Sequence, residues 1–156
     1  MRIDHEIPVA LRRAYLALHR ATDSVFAKYG VTADQFVLMA SLARDHALTQ
    51  RQLASRMSSD PSTVRAMLVL LEKNDLVRRE SHPADARAKT VALTPAGKRK
   101  FQQLWKVGQH IRDTMYDALQ PHEVTTLIRL LNQVSESLNS AGDESSDQLP
   151  STPARR

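Results

Sequence analysis

Cysteine is absent from this 156-residue chain, and glycine and aromatic residues are scarce, at 4 residues and 4% respectively. Without a thiol the chain has no disulfide, no thiolate zinc site and no cysteine nucleophile, a composition that suits a reducing cytoplasm. No stretch approaches the roughly 18 apolar residues of a membrane-spanning helix, and charged residues near the N-terminus interrupt any signal-peptide pattern. The long stretches rich in Leu, Ala and Arg favour a mainly helical protein, and the absence of cysteine predicts a cytoplasmic one.

Sites for catalysis or for metal ions are also missing from the sequence. The six histidines are scattered, and none has a second histidine and an acidic residue at the spacing of a helical zinc site. There is no glycine-rich phosphate loop, and no serine stands in the context that marks an activated nucleophile. We therefore expect neither an enzyme nor a bound metal or cofactor.

Positive charge is concentrated in the middle of the chain. Residues 51–100 contain eleven Lys and Arg against five Asp and Glu, a net charge of +6, whereas the whole chain has a net charge of +5. A polyanion such as DNA would meet this segment first, because neutralised phosphates release counterions. A solvated basic surface explains the charge alone equally well, so the motifs have to decide.

Long helices are predicted on both sides of the basic segment, because apolar residues recur there at three- and four-residue steps. The first covers residues 7–29 and ends at Gly30, which suits a left-handed C-terminal cap. A fifth helix starts after Thr94 and runs towards Leu119, and a sixth starts at Pro121. One subunit of this size could hardly cover every apolar face of these helices, so they predict a helical dimer interface.

The basic segment itself predicts a helix-turn-helix. Thr32 and Thr49 each stand three residues before a glutamine, the spacing of a capping box at a helix start. Helices over residues 50–57 and 61–74 then flank a three-residue turn in which Ser58 stands where glycine is common. Ala54 is small enough for the two helices to cross closely, and the apolar residues spaced to pack the helices together are Leu53, Val64 and Met67.

Two short strands after this motif, over residues 76–81 and 89–93, predict a winged helix. The second helix of the motif would enter the major groove, and Arg87 in the loop would reach the minor groove. Asp85 cannot attract DNA by its charge, and we expect it to orient Arg87 or Arg65. The predicted DNA contacts are Ser59, Ser62, Thr63, Arg65, Ala66, Arg87 and Lys89.

Several short motifs resemble the MarR family of bacterial transcriptional regulators. They occupy residues 53–57, 62–64, 71–73, 76–79, 85–89 and 93–97. The most specific is an Asp-x-Arg wing followed closely by Leu-Thr-x-x-Gly, and the resemblance extends over roughly residues 7–139. It implies a homodimer with interlaced terminal helices, binding to a pseudo-palindromic DNA operator, and repression that a small aromatic or anionic ligand relieves.

Four positions depart from the pattern that the resemblance implies. Asp75 stands where the family commonly has glycine, so Asn74 or Asp75 must adopt the left-handed turn there. Ala86 replaces a second wing arginine of many members. The pair Val69 and Leu70 is more apolar than is usual at this point of the family's second motif helix.

The resemblance also implies a ligand pocket between the first, second and fifth helices. Side chains on the first two helices combine apolar bulk with a polar tip, and an arginine there could hold a carboxylate. An ordinary structural role is an open alternative for each of them. The predicted ligand contacts are Arg13, Tyr15, His19, Phe36 and Met39.

The predicted fold class is mainly α, a winged helix-turn-helix with a small β-hairpin wing and long N- and C-terminal dimerisation helices. The segments are a dimerisation helix over residues 1–30, a DNA-binding domain over 31–100, dimerisation helices over 101–139 and a disordered tail over 140–156. Two alternatives to a ligand-released repressor stay open. One is an activator or ligand-independent regulator of the same fold, and the other is a protein-binding winged helix that does not bind DNA.

Overall fold

The structure of the protein is a computed structural model that describes residues 6–81, 84–85 and 87–146, with side chains described as far as residue 142. Within these residues the chain forms seven α-helices and three β-strands. They are α1 (Glu6–Phe26), α2 (Ala33–Asp45), β1 (Ala47–Thr49), α3 (Gln50–Arg56), α4 (Pro61–Lys73), β2 (Val77–Ser81), β3 (Lys89–Leu93), α5 (Pro95–Val107), α6 (Gln109–Asp117) and α7 (Pro121–Ser146). The predicted mainly helical fold with a wing is confirmed.

The chain divides into two compact units, Met1–Ile111 and Arg112–Arg156. The first unit contains α1 to α5, the sheet and the first residues of α6. The second contains the rest of α6 and all of α7. None of the helices in the described part of the chain combines the length and the apolar character that crossing a bilayer demands.

The two predicted capping boxes are confirmed at the starts of α2 and α3. Thr32 Oγ1 accepts a hydrogen bond from the Gln35 backbone N–H at 3.1 Å, and Gln35 Oε1 accepts from the Thr32 N–H at 3.0 Å. Thr49 and Gln52 repeat the arrangement at 3.1 and 2.9 Å. Two backbone donors that the helix leaves unsatisfied are paired at each start, which is why these boundaries follow from local sequence.

Three elements end with the same left-handed cap, at Gly30, Ser58 and Asp75, whose φ angles are 70°, 50° and 58°. At each cap the next residue's N–H reaches back five positions to a backbone carbonyl, as from Ser59 to Ala54 at 2.9 Å. Gly30 confirms the predicted cap of the first helical segment. Asp75, rather than Asn74, adopts the left-handed turn, and Ser58 does so in the turn of the helix-turn-helix.

The wing belongs to a three-stranded antiparallel sheet with the strand order β1-β3-β2. β2 and β3 form the predicted hairpin, with Val77 opposite Leu93 and Ser81 opposite Lys89. The third strand, β1, was not predicted, and it pairs with the other edge of β3. Three residues are too few to show the period-two alternation of a strand, so only pairing with β3 defines β1.

The hydrophobic core lies between α2, α3, α4, the sheet and α5. Leu53 and Val64 are fully buried and Ala54 is 4% exposed, as predicted for the crossing of α3 and α4. Met67 is partly buried against the same core. The other fully buried large residues include Leu38, Leu42, Leu68, Leu71, Val91 and Leu104.

The start of α5 is locked onto the turn between α4 and β2. Thr94 Oγ1 donates to the Asp75 carbonyl at 2.5 Å and accepts from the Gly97 N–H at 2.9 Å. A Cβ on Gly97 would collide with the carbonyl oxygen of Leu76. Glycine is required here by this close approach of two backbones, and the contact fixes α5 against the winged helix.

Three predicted boundaries are wrong. The first helix ends at Phe26 and continues as a 3-10 turn, Ala27–Tyr29. The fifth ends at Val107, because Gly108 interrupts the helix before α6 and glycine weakens a helix interior. α7 continues to Ser146, so residues 140–146 are helical rather than disordered. Extending an existing helix by a few residues costs little, and residues 147–156 lie outside the described part of the chain.

Candidate nucleic-acid interface

The N-terminus of α4 is capped by Asp60. Its Oδ1 accepts from the Thr63 backbone N–H at 2.9 Å, and its Oδ2 accepts from the Thr63 hydroxyl at 2.7 Å. These two hydrogen bonds, the backbone one first, hold the pKa of Asp60 below its usual value of 3.8. The amide of Gln50 donates to the Pro61 carbonyl at 3.2 Å and so joins the first turns of α3 and α4.

The outward side of α4 carries most of the predicted DNA contacts. Val64, Leu68 and Leu71 are buried, and helical spacing places the exposed residues on the opposite side. The exposed predicted contacts are Ser62, Thr63, Arg65 and Ala66. Ser59, in the preceding turn, is only half-exposed. The Thr63 hydroxyl already donates to Asp60, so it can accept a hydrogen bond but has no proton left for a phosphate.

In the wing, Asp85 acts on the backbone of the loop. Its Oδ1 accepts from the Arg87 backbone N–H at 2.9 Å, and its carbonyl accepts from the Ala88 N–H at 3.1 Å. This small turn fixes where the Arg87 side chain leaves the chain. Within the described residues, the Asp85 carboxylate forms no ion pair with Arg87 or Arg65. The loop residues His82, Pro83 and Ala86 lie outside the described residues.

Ion pairs divide the arginines of the basic segment into two groups. Arg56 pairs with Asp45 at 3.4 Å, Arg78 with Glu80 at 2.6 Å and Arg79 with Glu72 at 3.3 Å. By contrast, the cations among the predicted DNA contacts have no acidic partner in the part of the chain that the structure describes. Those cations are Arg65, Arg87 and Lys89, and all three are exposed. Uncompensated positive charge therefore lies on the outward side of α4 and on the wing.

The five predicted ligand contacts do not meet in one pocket. Met39 is fully buried in the core, and the Phe36 ring packs between the rings of Phe26 and Phe101, with centroids 4.8 and 5.5 Å away. Both residues therefore have a structural role in this chain.

Tyr15 and His19 form an aromatic pair on α1, with ring centroids 5.6 Å apart. His19 Nε2 lies 3.0 Å from the Asp23 carboxylate, whose other oxygen accepts from the Ala33 N–H at 2.6 Å. The pair is thereby tied to the N-terminus of α2. Arg13 precedes Tyr15 by two residues and so lies about 200° away around the helix. Within one chain these two side chains cannot hold the same small ligand.

A groove of about 590 Å³ lies on the outer face of the sheet, between α2 and α5. None of the predicted ligand contacts lines it. Its walls come from five elements that are distant in sequence, so no local motif could have predicted it. The lining residues are Leu42, Ala43, His46, Ala47, Arg78, Glu80, Ala92, Leu93, Lys98, Phe101 and Gln102. Over the described residues, no group of three or more metal-ligating side chains is found.

Comparisons with known proteins identify the family of this chain. Residues 31–89 match the MarR family profile. PecS of Dickeya dadantii, an HTH-type transcriptional regulator, is 31% identical over 134 residues, which is 82% of this chain and 79% of PecS.

Two solved structures share the fold at 26% identity and a TM-score of 0.75. One is a mutant MarR from E. coli complexed with operator DNA, covering 86% of this chain and 99% of that one. The other is BpsR of Bordetella bronchiseptica, whose DNA binding is regulated by 6-hydroxynicotinic acid, covering 83% and 98%. The relatives are transcriptional regulators and not enzymes, as the sequence predicted. The chain belongs to the MarR family of DNA-binding, winged helix-turn-helix transcriptional regulators.

Proposed function

We propose that the protein is a homodimeric repressor, acting in the cytoplasm, that binds an inverted-repeat operator and leaves it when a small aromatic or anionic ligand binds. The observation that carries the dimer is the apolar surface that α1 and α7 leave exposed. A symmetric dimer presents two copies of α4 and of the wing, and so matches the two halves of an inverted repeat.

The exposed surface of α7 is too regular to be incidental. Leu127, Leu131, Val134 and Leu138 recur at three- and four-residue steps, and three of them are 39–67% exposed. Val134 is half-buried. Together with the end of α6, the first half of α7 also lines an apolar cleft of about 210 Å³. Apolar stripes of this length are stabilised when another protein surface covers them.

On α1 the same argument holds independently. Ile7 and Leu18 lie eleven residues apart and so on the same side of the helix, and they are 57% and 40% exposed. Each square ångström of apolar surface removed from water contributes roughly 25 cal/mol. A second copy of the chain carries the same exposed apolar surfaces on α1 and α7. It is therefore the partner that we propose to cover them.

In the proposed complex, α4 lies in the major groove and the wing reaches the adjacent minor groove. Arg65 is the one long donor among the α4 contacts, suited to a guanine edge or a phosphate. Ser59, Ser62, Thr63 and Ala66 are short and allow a close approach of the helix. Arg87 enters the narrow, electronegative minor groove of A·T-rich flanks, while Lys89 neutralises a phosphate beside it.

For the ligand, we propose an aromatic acid that stacks on Tyr15 and His19. Support comes from the ring pair on α1, in which Tyr15 is exposed and His19 is half-buried, and from BpsR, whose DNA binding is regulated by 6-hydroxynicotinic acid. In a dimer, Arg13 would come from the second copy. Ligand binding can act only by favouring a subunit arrangement that misplaces the two α4 helices, with a coupling of typically ~1–3 kcal/mol.

The test combines site selection with stoichiometry. From a pool of random duplexes, the full-length protein should select an inverted repeat whose half-sites lie about 10 base pairs apart, and light scattering should show two subunits per duplex. A monomer bound to a single half-site would contradict the proposal. A reporter gene downstream of the selected site separates repression from activation, and release by aromatic acids tests the ligand.

A further inference from the structure

The outer side of α4 carries two apolar side chains that its packing does not explain. Val69 and Leu70 are 53% and 51% exposed, although the core side of the same helix is complete with Val64, Leu68 and Leu71. Apolar side chains exposed to water are stabilised when an apolar contact covers them. Val69 and Leu70 would therefore be stabilised by an apolar group that contacts them on this face.

Helical spacing fixes the direction of Val69. It lies seven residues after Ser62 and three after Ala66, so the three side chains form one row along the helix. That row is opposite the buried side of α4. Arg65 lies one turn before Val69, and Lys73 one turn after it, on the same exposed surface. Val69 therefore sits among the groups that we propose to face DNA.

The surroundings favour nucleic acid over a protein partner. The apolar residues in the row number two, Ala66 and Val69, whereas a stable protein interface buries roughly 800 Å² on each side. The cations Arg65 and Lys73 bracket the row, and neither forms an ion pair within the described residues, so the charge suits a polyanion. In the major groove of DNA, the C5-methyl of thymine is the apolar group that a side chain can contact.

We propose that Val69, next to the short side chain of Ala66, recognises the methyl group of a thymine at one fixed position in each operator half-site. The inference rests on the proposed entry of α4 into the major groove. Valine suits the role because its branched side chain has one preferred conformation in a helix and loses little freedom on contact. Leu70, turned towards the Thr63 side of the helix, is not part of this row.

Replacing thymine by deoxyuridine tests the contact, because it removes the methyl and keeps every hydrogen-bonding group. A site is first selected from random duplexes with the full-length protein, and each thymine of one half-site is then replaced in turn. Wild-type protein should lose about fourfold in affinity at one thymine, the factor for one buried methyl-sized group. Val69→Ala should bind the thymine and deoxyuridine duplexes equally well.

Val37→Ala is the matched control, since Val37 is 45% exposed on α2 and lies outside the proposed interface. It should discriminate as wild type does, and both variants should keep the wild-type melting temperature. The inference is overturned if wild type binds every deoxyuridine duplex as tightly as the parent, or if Val69→Ala still discriminates. In either case sequence-specific binding, and with it the proposed function, would stand. If wild type selects no site at all, the proposed function itself is wrong.

Discussion

The winged helix and α7 use their apolar residues in opposite ways. In the described residues, every buried hydrophobic side chain lies between Phe26 and Leu104. Along α7, none of residues 121–142 is buried, and Leu127, Ile128 and Leu138 are 44–67% exposed. Both regions are amphipathic, yet only the winged helix provides a partner surface for its own apolar face.

This difference separates two kinds of stability. The winged helix is held by contacts within the chain, so its folding should not depend on protein concentration. The apolar stripe of α7 contributes only when another surface covers it, and its stabilisation should follow mass action. Changes in one region should therefore affect assembly, and changes in the other should affect folding.

The largest effect is expected from a charge on the stripe. Leu131→Glu places a carboxylate in the proposed interface twice, because the symmetric contact is made by both subunits. Losing two buried leucines at roughly 1.5–3 kcal/mol each should weaken the dimer at least about 100-fold. Sedimentation of the variant should show monomers, with the thermal transition of the winged helix retained.

Thr125→Glu is the control for this experiment, since it adds the same charge on the polar side of α7. It should leave the dimer intact. Dissociation by both variants would mean that net charge, and not the apolar stripe, controls assembly.

The next largest effect is expected where α5 meets the α4–β2 turn. Gly97→Ala forces a methyl group against the Leu76 carbonyl oxygen. Because both contacting groups belong to the backbone, neither can move away easily to relieve the clash. We expect a loss of about 3 kcal/mol in the free energy of unfolding, the upper end for overpacking, seen as a lower denaturant midpoint.

Gly142→Ala provides the comparison in α7, where an added Cβ meets nothing within 4 Å. Because alanine favours a helix by about 0.5–1 kcal/mol over glycine, this variant should be unchanged or slightly more stable. Equal losses for the two variants would refute the assigned close approach at Gly97.

A smaller effect is expected from single cations. Arg87→Ala should lower DNA affinity several-fold and reduce the slope of log affinity against log salt by about one unit. Arg78→Ala removes the same charge from a side chain that Glu80 already neutralises at 2.6 Å, so its slope should not change. Equal slopes for both variants and wild type would remove the wing from the interface.

The smallest effect concerns the cap of α4. Because folding lowers the pKa of Asp60, its carboxylate stabilises the fold at neutral pH, and this contribution disappears as the pH falls through the lowered pKa. Asp60→Asn retains a capping oxygen without the charge. Melting temperatures measured from about pH 6 into the acid range should show wild type above the variant at the higher pH, and the difference should shrink as the pH falls below the usual pKa of 3.8. A difference in melting temperature between wild type and variant that stays constant as the pH falls would contradict this prediction.

Local chemistry explains which elements were predictable. The capping boxes at Thr32 and Thr49, and the left-handed turns at Gly30 and Asp75, depend on groups within a few residues of one another. β1 was missed because three residues are too few to show the alternation of a strand. The break at Gly108 was missed because the apolar stripe continues through it. The predicted end of α7 was wrong because amino-acid composition does not show where a helix that has already formed will stop.

At the proposed interface, the sequence predicted contacts on the exposed side of α4 and on the wing, but it could not separate paired from unpaired cations. That separation depends on partners such as Asp45 for Arg56, eleven residues away, and Glu72 for Arg79. The predicted ligand contacts do not share one pocket within a single chain, because burial also depends on packing across the molecule. The sequence left an ordinary structural role open for Phe36 and Met39, and the packing of the core shows that both have one.

By itself, the sequence determined the order of the elements apart from β1 and the division of α5 from α6, together with the capping boxes and the basic segment between the long helices. Each of these depends on neighbours along the chain. Tertiary structure alone decided which arginines keep an uncompensated charge, that Gly97 must approach Leu76, and that Val69 and the stripe of α7 remain exposed. Burial and ion pairing depend on what lies opposite a side chain in space, and that is set by the packing of residues far apart in the sequence.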